Sequence, residues 1–238
     1  MKIHAIIFCW PWKAPDAQRI CDSISASADK VTVIDASTDP VESAGNCEWI
    51  KISPDAYFGH QFVHALRVFE HDVMLQIQAD ASHPDWGAVV KTCRQRFEAM
   101  PELGIWAPDI DFTTWPTRRV KLFDTGDPEL IGVVQSDCIV WALKRPVVEY
   151  LKKFDYSNNN LGYGIDWAAI AHCYANKALV LRDLSLRVLH PQGSGYDREE
   201  AHRQMWGFLH QMARPDRVQF ALLWSFLSGR DAMLQKQA

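Results

Sequence analysis

The 238-residue chain is 48% hydrophobic and 23% charged, an ordinary globular composition that suits one large domain. Its formal net charge of −4 gives no global reason to expect nucleic acid or an acidic membrane surface as a partner. No run of about 18 apolar residues is present to form a transmembrane segment, and six cysteines without a CxxC pair read as free, mostly buried thiols of a cytoplasmic protein.

The N-terminal MKIHAIIFCWPWK is too short in its apolar run for a signal peptide, so Ile3 to Phe8 reads as a first strand. Asp16 to Ser27 has helical spacing, and Val31 to Ile34 is a β-branched strand. That strand ends in Asp35-Ala36-Ser37-Thr38-Asp39-Pro40, a loop dense in hydrogen-bonding side chains. Trp49 to Ile52 is a third strand, and Phe62 to Phe69 a helix. Val73 to Gln78 then alternates apolar and polar residues like a strand with one face in a core. It stops at Ala79-Asp80-Ala81-Ser82-His83-Pro84, where a carboxylate stands among small residues. Pro84 to Ala99 follows as a helix. Alternating strands and helices argue a sheet with parallel crossovers, in which the strands ending at Asp35 and Asp80 are neighbours.

The second half differs. Gly104 to Ala107 and Val120 to Phe123 read as strands on either side of the loop-like Asp109 to Thr117. Ile131 to Leu143 reads as one long strand interrupted by Gln135-Ser136-Asp137. After a helix from Pro146 to Phe154 comes a loop rich in Asn and Gly, and Asp166 then sits in the N-cap or first turn of a helix running from Trp167 to Tyr174. Ala178 to Leu189 gives one or two strands, ending at His190-Pro191 and the glycine-rich Gln192 to Tyr196. Two amphipathic helices close the chain, with Gly229 a candidate C-terminal cap. No repeat or linker justifies a cut. The whole of 1–238 reads as a single domain, with 1–100 and 101–197 as its two halves and 198–238 as C-terminal helices.

Asp35, Asp80, Asp166 and His190 all stand at element ends, where core packing does not explain them. Each has a structural alternative: an Asx turn for Asp35 and Asp80, a helix cap for Asp166, a surface imidazole for His190. Taken in order, the motifs VIDASTD, QADAS, LGYGIDWAAIAH and VLHPQGSGY resemble those of GT-A fold glycosyltransferases of the family 2-like and galactosyltransferase-like branches, from about Ile3 to Tyr196. The resemblance implies an α/β fold, a single GT-A domain with a mixed, mostly parallel central sheet flanked by helices. It implies that 1–100 is the nucleotide-binding half and 101–197 the acceptor and catalytic half. Asp35 and Ser37 then belong to the nucleotide-binding turn, Gln78 and Asp80 to the strand-end DxD region, and Asp80 and His190 to the metal. Gln78 stands where the family usually has its first acid, so it brings a hydrogen bond without charge. Asp166 takes the general-base position and Trp167 lies beside it on the donor-sugar side, with Asp137 as a second donor-sugar contact. Gly193, Gly195 and Tyr196 match the mobile loop that closes over the donor.

The implied activity is transfer of a sugar from a UDP-sugar to an unknown acceptor with Mn2+ or Mg2+, inverting if Asp166 is the base. Breaking a sugar–phosphate bond builds charge on the leaving diphosphate, which a divalent cation with hard oxygen ligands neutralises. An acceptor hydroxyl is a poor nucleophile, and a carboxylate within about 3 Å can take its proton. Asp109-Ile110-Asp111 is a second DxD, ranked below QADAS because its strand is less convincing. A nucleotidyltransferase is disfavoured, because the loop after the first strand holds only Lys13 and no glycine. A GT-A domain that binds nucleotide or a partner without turnover is the remaining alternative. No nucleic-acid partner is expected.

Overall fold

The computed structural model describes residues 1–38, 47–191 and 196–236. Its first half contains β1 (Ile3–Cys9), α1 (Ala14–Ile24), β2 (Lys30–Asp35), β3 (Glu48–Lys51), α2 (Phe58–Val68), β4 (Val73–Gln78) and α3 (Trp86–Ala99). There follow β5 (Leu103–Ile110), the helical turn α4 (Thr117–Val120), β6 (Lys121–Asp124), β7 (Leu130–Val133), β8 (Val140–Lys144), α5 (Arg145–Leu151), α6 (Ile165–Ala175) and β9 (Leu179–Val188). The helices α7 (Arg198–Leu209) and α8 (Arg214–Gln235) come last.

The strands form one nine-stranded mixed sheet in the order β3-β2-β1-β4-β8-β5-β9-β7-β6. The pairs β1–β2, β1–β4, β2–β3 and β5–β9 are parallel; β4–β8, β5–β8, β7–β9 and β6–β7 are antiparallel. The period-two pattern explains the layers. Ile6 and Phe8 of β1 face the core under α2, α6, α7 and α8, while Ala5 and Ile7 face the core under α1 and α3. Both sides of β1 are therefore dry, which is why its run is apolar throughout. Helix α3 starts where Asp85 accepts a hydrogen bond from Ala88 N at 2.9 Å, a side-chain cap for an otherwise unpaired amide.

Three expectations are corrected. Residues 131–143 are not one strand: β7 and β8 lie on opposite sides of β5 and β9, and 134–139 crosses the rim between them. Strands β2 and β4 are not neighbours, because β1 lies between them. Gly229 caps nothing, since α8 continues to Gln235.

The register nevertheless aligns the strand ends. Cys9 pairs with Asp35, Phe8 with Gln78, and Asp35 with Lys51, so the carboxyl ends of β1 to β4 make one rim. Just beyond it, Ser82 and Leu189 form an isolated antiparallel bridge with N–H···O distances of 2.8 and 2.9 Å. That bridge draws the chain after β4 to the chain after β9, although β8 and β5 separate the two strands in the sheet.

Candidate active site

Asp35 ends β2 on the rim and is 2% exposed. Its Oδ1 accepts the Ser37 N–H at 2.8 Å, and its Oδ2 accepts from Lys51 Nζ at 2.9 Å. Lys51 Nζ also donates to Ser37 Oγ at 3.2 Å. The Lys51 ammonium beside this buried carboxylate offsets part of the cost of its desolvation. Asp35 closes an Asx turn with Ser37 on the rim beyond which Asp80 lies.

Asp80 and His190 are brought together by the Ser82–Leu189 bridge. His190 Nε2 lies 3.6 Å from Asp80 Oδ1, and both atoms are buried without a hydrogen-bond partner. Asp111 fixes the imidazole's backbone, accepting from His190 N at 2.9 Å. Leaving two polar atoms buried, facing and unsatisfied is unfavourable by about 1–3 kcal/mol each unless something else occupies the gap. Their donor set, one carboxylate oxygen and one imidazole nitrogen, fits Mn2+ or Mg2+. Among the described residues no cluster of three or more His, Cys, Asp or Glu offers a complete metal cage. A cavity of about 410 Å³ opens beside Asp80, with Lys13 and Arg19 of the α1 region on its wall, both paired to Asp16. A larger cavity, about 670 Å³, lies apart from this constellation between α2 and residues 152–157.

Asp166 stands in the first turn of α6, and its carboxylate is hydrogen-bonded on both oxygens. Gln135 Nε2 donates to Oδ2 at 2.9 Å and Trp167 N to Oδ1 at 2.8 Å. Burial nonetheless raises its carboxyl from 3.8 to about 7, and the nearby Asp137 charge adds to the rise. Gly164, the residue before the helix, has φ 88°, and Gly162 has φ 78°. Both are left-handed positions that an L side chain resists, so the LGYG spelling follows from the turn that delivers Asp166. Gly59 at the start of α2 packs against the same loop, its N–H donating to Asn160 O at 2.8 Å.

Asp137 is enclosed on the segment that crosses the rim, bonded by Thr113 Oγ1, and burial raises its carboxyl too. The charges of Arg182 and His190 oppose that rise, and Asp109 reinforces it. Asp137 therefore links the Asp166 and His190 ends of the site electrostatically. Gln78 is turned toward the same segment, its Nε2 donating to Cys138 O at 3.2 Å. Tyr196 returns the chain to the site: Tyr163 donates its hydroxyl to the Tyr196 hydroxyl at 2.9 Å, with the rings edge-on. Gly193 and Gly195 lie outside the described residues.

Trp167 is a correction. It is 3% exposed and packs among Trp115, Phe220 and Trp224 with ring centroids 5.3–6.0 Å away. Enclosed on all these sides, it serves the core and offers no face to a sugar ring.

No family model matches the sequence, and no curated protein matches it either. Among solved structures the chain is similar to GalNAc-T7 with UDP, GalNAc and Mn2+, at TM-score 0.60 and 10% identity, over 82% of this chain and 44% of that one. It is similar to the mannosyltransferase PcManGT from Pyrobaculum calidifontis in complex with GDP-Man and Mn2+, at TM-score 0.59 and 15% identity, over 99% and 79%. The fold is GT-A. The fold is also similar to that of a UDP-glucose pyrophosphorylase complexed with UDP-glucose, at TM-score 0.52 and 8% identity, over 89% of this chain and 100% of that one. The chain spans less than half the length of GalNAc-T7. On this GT-A sheet, the rim at Asp35 and Asp80, to which Asp166 is joined through Gln135 of the crossing segment, lies at the strand ends where ligands of open α/β folds bind.

Sequence reasoning missed Lys51, Arg182 and the positioning role of Asp111. Arg182 is 1% exposed, donates to Trp115 O at 2.8 Å, and lies 3.9 Å from Asp109 Oδ1. Its signal was present: Arg182-Asp183 follows the apolar Leu179-Val180-Leu181 in β9, and a charge pair there needs buried partners.

Proposed function

We propose that this GT-A protein is a glycosyltransferase that moves a sugar from a UDP-sugar to an acceptor hydroxyl with a divalent cation. The observation that carries the proposal is the facing pair Asp80 Oδ1 and His190 Nε2, buried and without hydrogen-bond partners, beside the crossing segment whose Gln135 holds Asp166. GalNAc-T7 and PcManGT, which share the fold, carry Mn2+ beside a nucleotide or nucleotide sugar.

Asp35, held by Lys51, accepts hydrogen bonds from the nucleoside. Lys13 contributes positive charge near the diphosphate. Mn2+ or Mg2+ between Asp80 and His190 would supply further positive charge to the leaving diphosphate. Asp166 accepts the acceptor's proton as its oxygen bonds to the anomeric carbon, while the sugar–phosphate bond breaks and its electrons leave with UDP. A carboxyl raised to about 7 is well suited to that transfer, being ionised just above neutrality and basic enough to hold the proton. Attack from the face opposite the diphosphate inverts the anomeric centre. Asp137, bonded by Thr113, would hold the donor sugar.

The test is release of UDP from UDP-sugars with and without Mn2+, by the wild type and Asp166→Asn. Metal-dependent release that Asp166→Asn loses, with UDP binding retained, supports the proposal. Binding without any turnover favours the non-catalytic module, for which Gln78 in place of an acid is the supporting observation. Absence of both binding and turnover overturns the scheme.

A further inference from the structure

We propose that the outward face of α8 docks on an anionic lipid surface. Five of the eleven exposed large hydrophobic side chains among the described residues lie on α7 and α8: Trp206, Val218, Leu222, Trp224 and Met233. Leu222 and Met233 are 60% and 62% exposed. Val218, Leu222, Gly229 and Met233 follow one line along the helix by their three- and four-residue spacing, and Ala221, Ser225 and Ala232 flank it. A 22-residue helix that buried only its inward side would gain by carrying charge on that line. Instead it is apolar and small.

The charges around the line share one sign. Both acids of α8 are withdrawn: Asp216 is buried against His172 Nδ1 at 3.2 Å, and Asp231 is held by Arg119 through two bonds of 2.7 Å. The charges left on the outward side are Arg214, Arg217 and Lys236, all exposed. Residues 198–238 hold six basic and four acidic side chains, net +2, whereas the first 197 residues carry −6. The chain's overall negative charge therefore conceals a cationic end.

Apolar side chains flanked by cations and edged by two tryptophans are the composition of a helix lying in a headgroup layer. No described helix is long and apolar enough to cross a membrane, so the helix would lie along the surface. A second copy is a poorer occupant. Pairing α8 with itself would set Arg214, Arg217 and Lys236 against like charges with no acid between them. The inference is independent of the sugar-transfer proposal, because none of these residues belongs to that site.

Flotation of the intact protein with phosphatidylcholine vesicles, with and without phosphatidylserine, tests it. The expected result is binding to the serine-containing vesicles alone, weakened by raising salt. Leu222→Glu, whose side chain is exposed and whose melting temperature should match the wild type, should lower partition at least tenfold. Arg214→Gln and Arg217→Gln should each lower it about fivefold, the effect of one cation near an anionic surface. No binding to either vesicle overturns the proposal, as does undiminished binding of Leu222→Glu. Light scattering that shows a lipid-free dimer lost in Leu222→Glu overturns it in favour of a second copy.

Discussion

Replacing Asp166 by Asn separates what the residue does for chemistry from what its burial does to stability. Moving a carboxyl from 3.8 to about 7 disfavours its charge by about 4 kcal/mol. Asp166 keeps part of its surface accessible to water, and screening there reduces this to about half, roughly 2 kcal/mol. The sign follows from proton binding. Above pH 3.8 the unfolded chain has lost a proton that the native state keeps, so this group's contribution to stability falls as pH rises toward 7. Asn carries no charge and escapes the decline. It has one acceptor oxygen where Asp166 uses two, for Gln135 and for Trp167 N, and the lost bond is worth about 1 kcal/mol. Asp166→Asn should therefore be less stable than wild type by up to about 1 kcal/mol near pH 4 and more stable by about 1 kcal/mol near pH 8.5. That swing amounts to about 4–8 °C in the difference between melting temperatures. Thermal denaturation across that range measures it, alongside loss of turnover by about 100-fold or more. A difference in melting temperature that does not vary with pH would refute the argument that Asp166 is buried as a strained charge.

Three further outcomes are expected. Asp35→Asn should weaken UDP binding at least about tenfold by calorimetry, since it removes the charge that orients Lys51 and Ser37; unchanged affinity would remove Asp35 from the nucleotide site. Mn2+ alone should shift the melting temperature little, because two ligands, Asp80 and His190, converge among the described residues, whereas Mn2+ with UDP should shift it more than UDP alone. His190→Ala should erase that extra shift, and its survival would place the metal elsewhere. Gly59→Ala should destabilise by about 3 kcal/mol, because a Cβ there would come within 1.9 Å of Asn159 O and 2.9 Å of Asn160 O. A melting temperature within about 2 °C of wild type would show that the loop before Asp166 yields more easily than its packing implies.

The first half of the fold was legible because its signals are local. Alternation marks β4 from Val73 to Gln78, a proline and an Asp open α3, and each strand ends in small or polar residues. The second half depends on distant partners. Residues 131–143 look continuous because β7 and β8 are equally apolar, and nothing local reveals that they pair with different neighbours. The candidate site was legible as charges standing in permissive turns at Asp80, Asp166 and His190, of which the structure brings Asp80 Oδ1 and His190 Nε2 within 3.6 Å. It was opaque where tertiary packing decides. Lys51 meets Asp35 from 16 residues away, Asp111 holds His190 from 79 residues away, and α8 covers Trp167 from the far end of the chain.

Strand β8 has a consequence for how this protein can be taken apart. It runs antiparallel between β4, from the first half of the chain, and β5, from the half that carries Asp166. The boundary visible in the sequence near residue 100 is therefore not a seam in space. A fragment ending there would keep β1 to β4 but leave β4 with an open row of amides and carbonyls, a template for intermolecular pairing. Exchange of halves with another GT-A fold chain would face the same obstacle. A workable chimera must carry β8 with whichever partner supplies β4, so the modular unit of this chain is the pairing of strands and not the stretch of sequence.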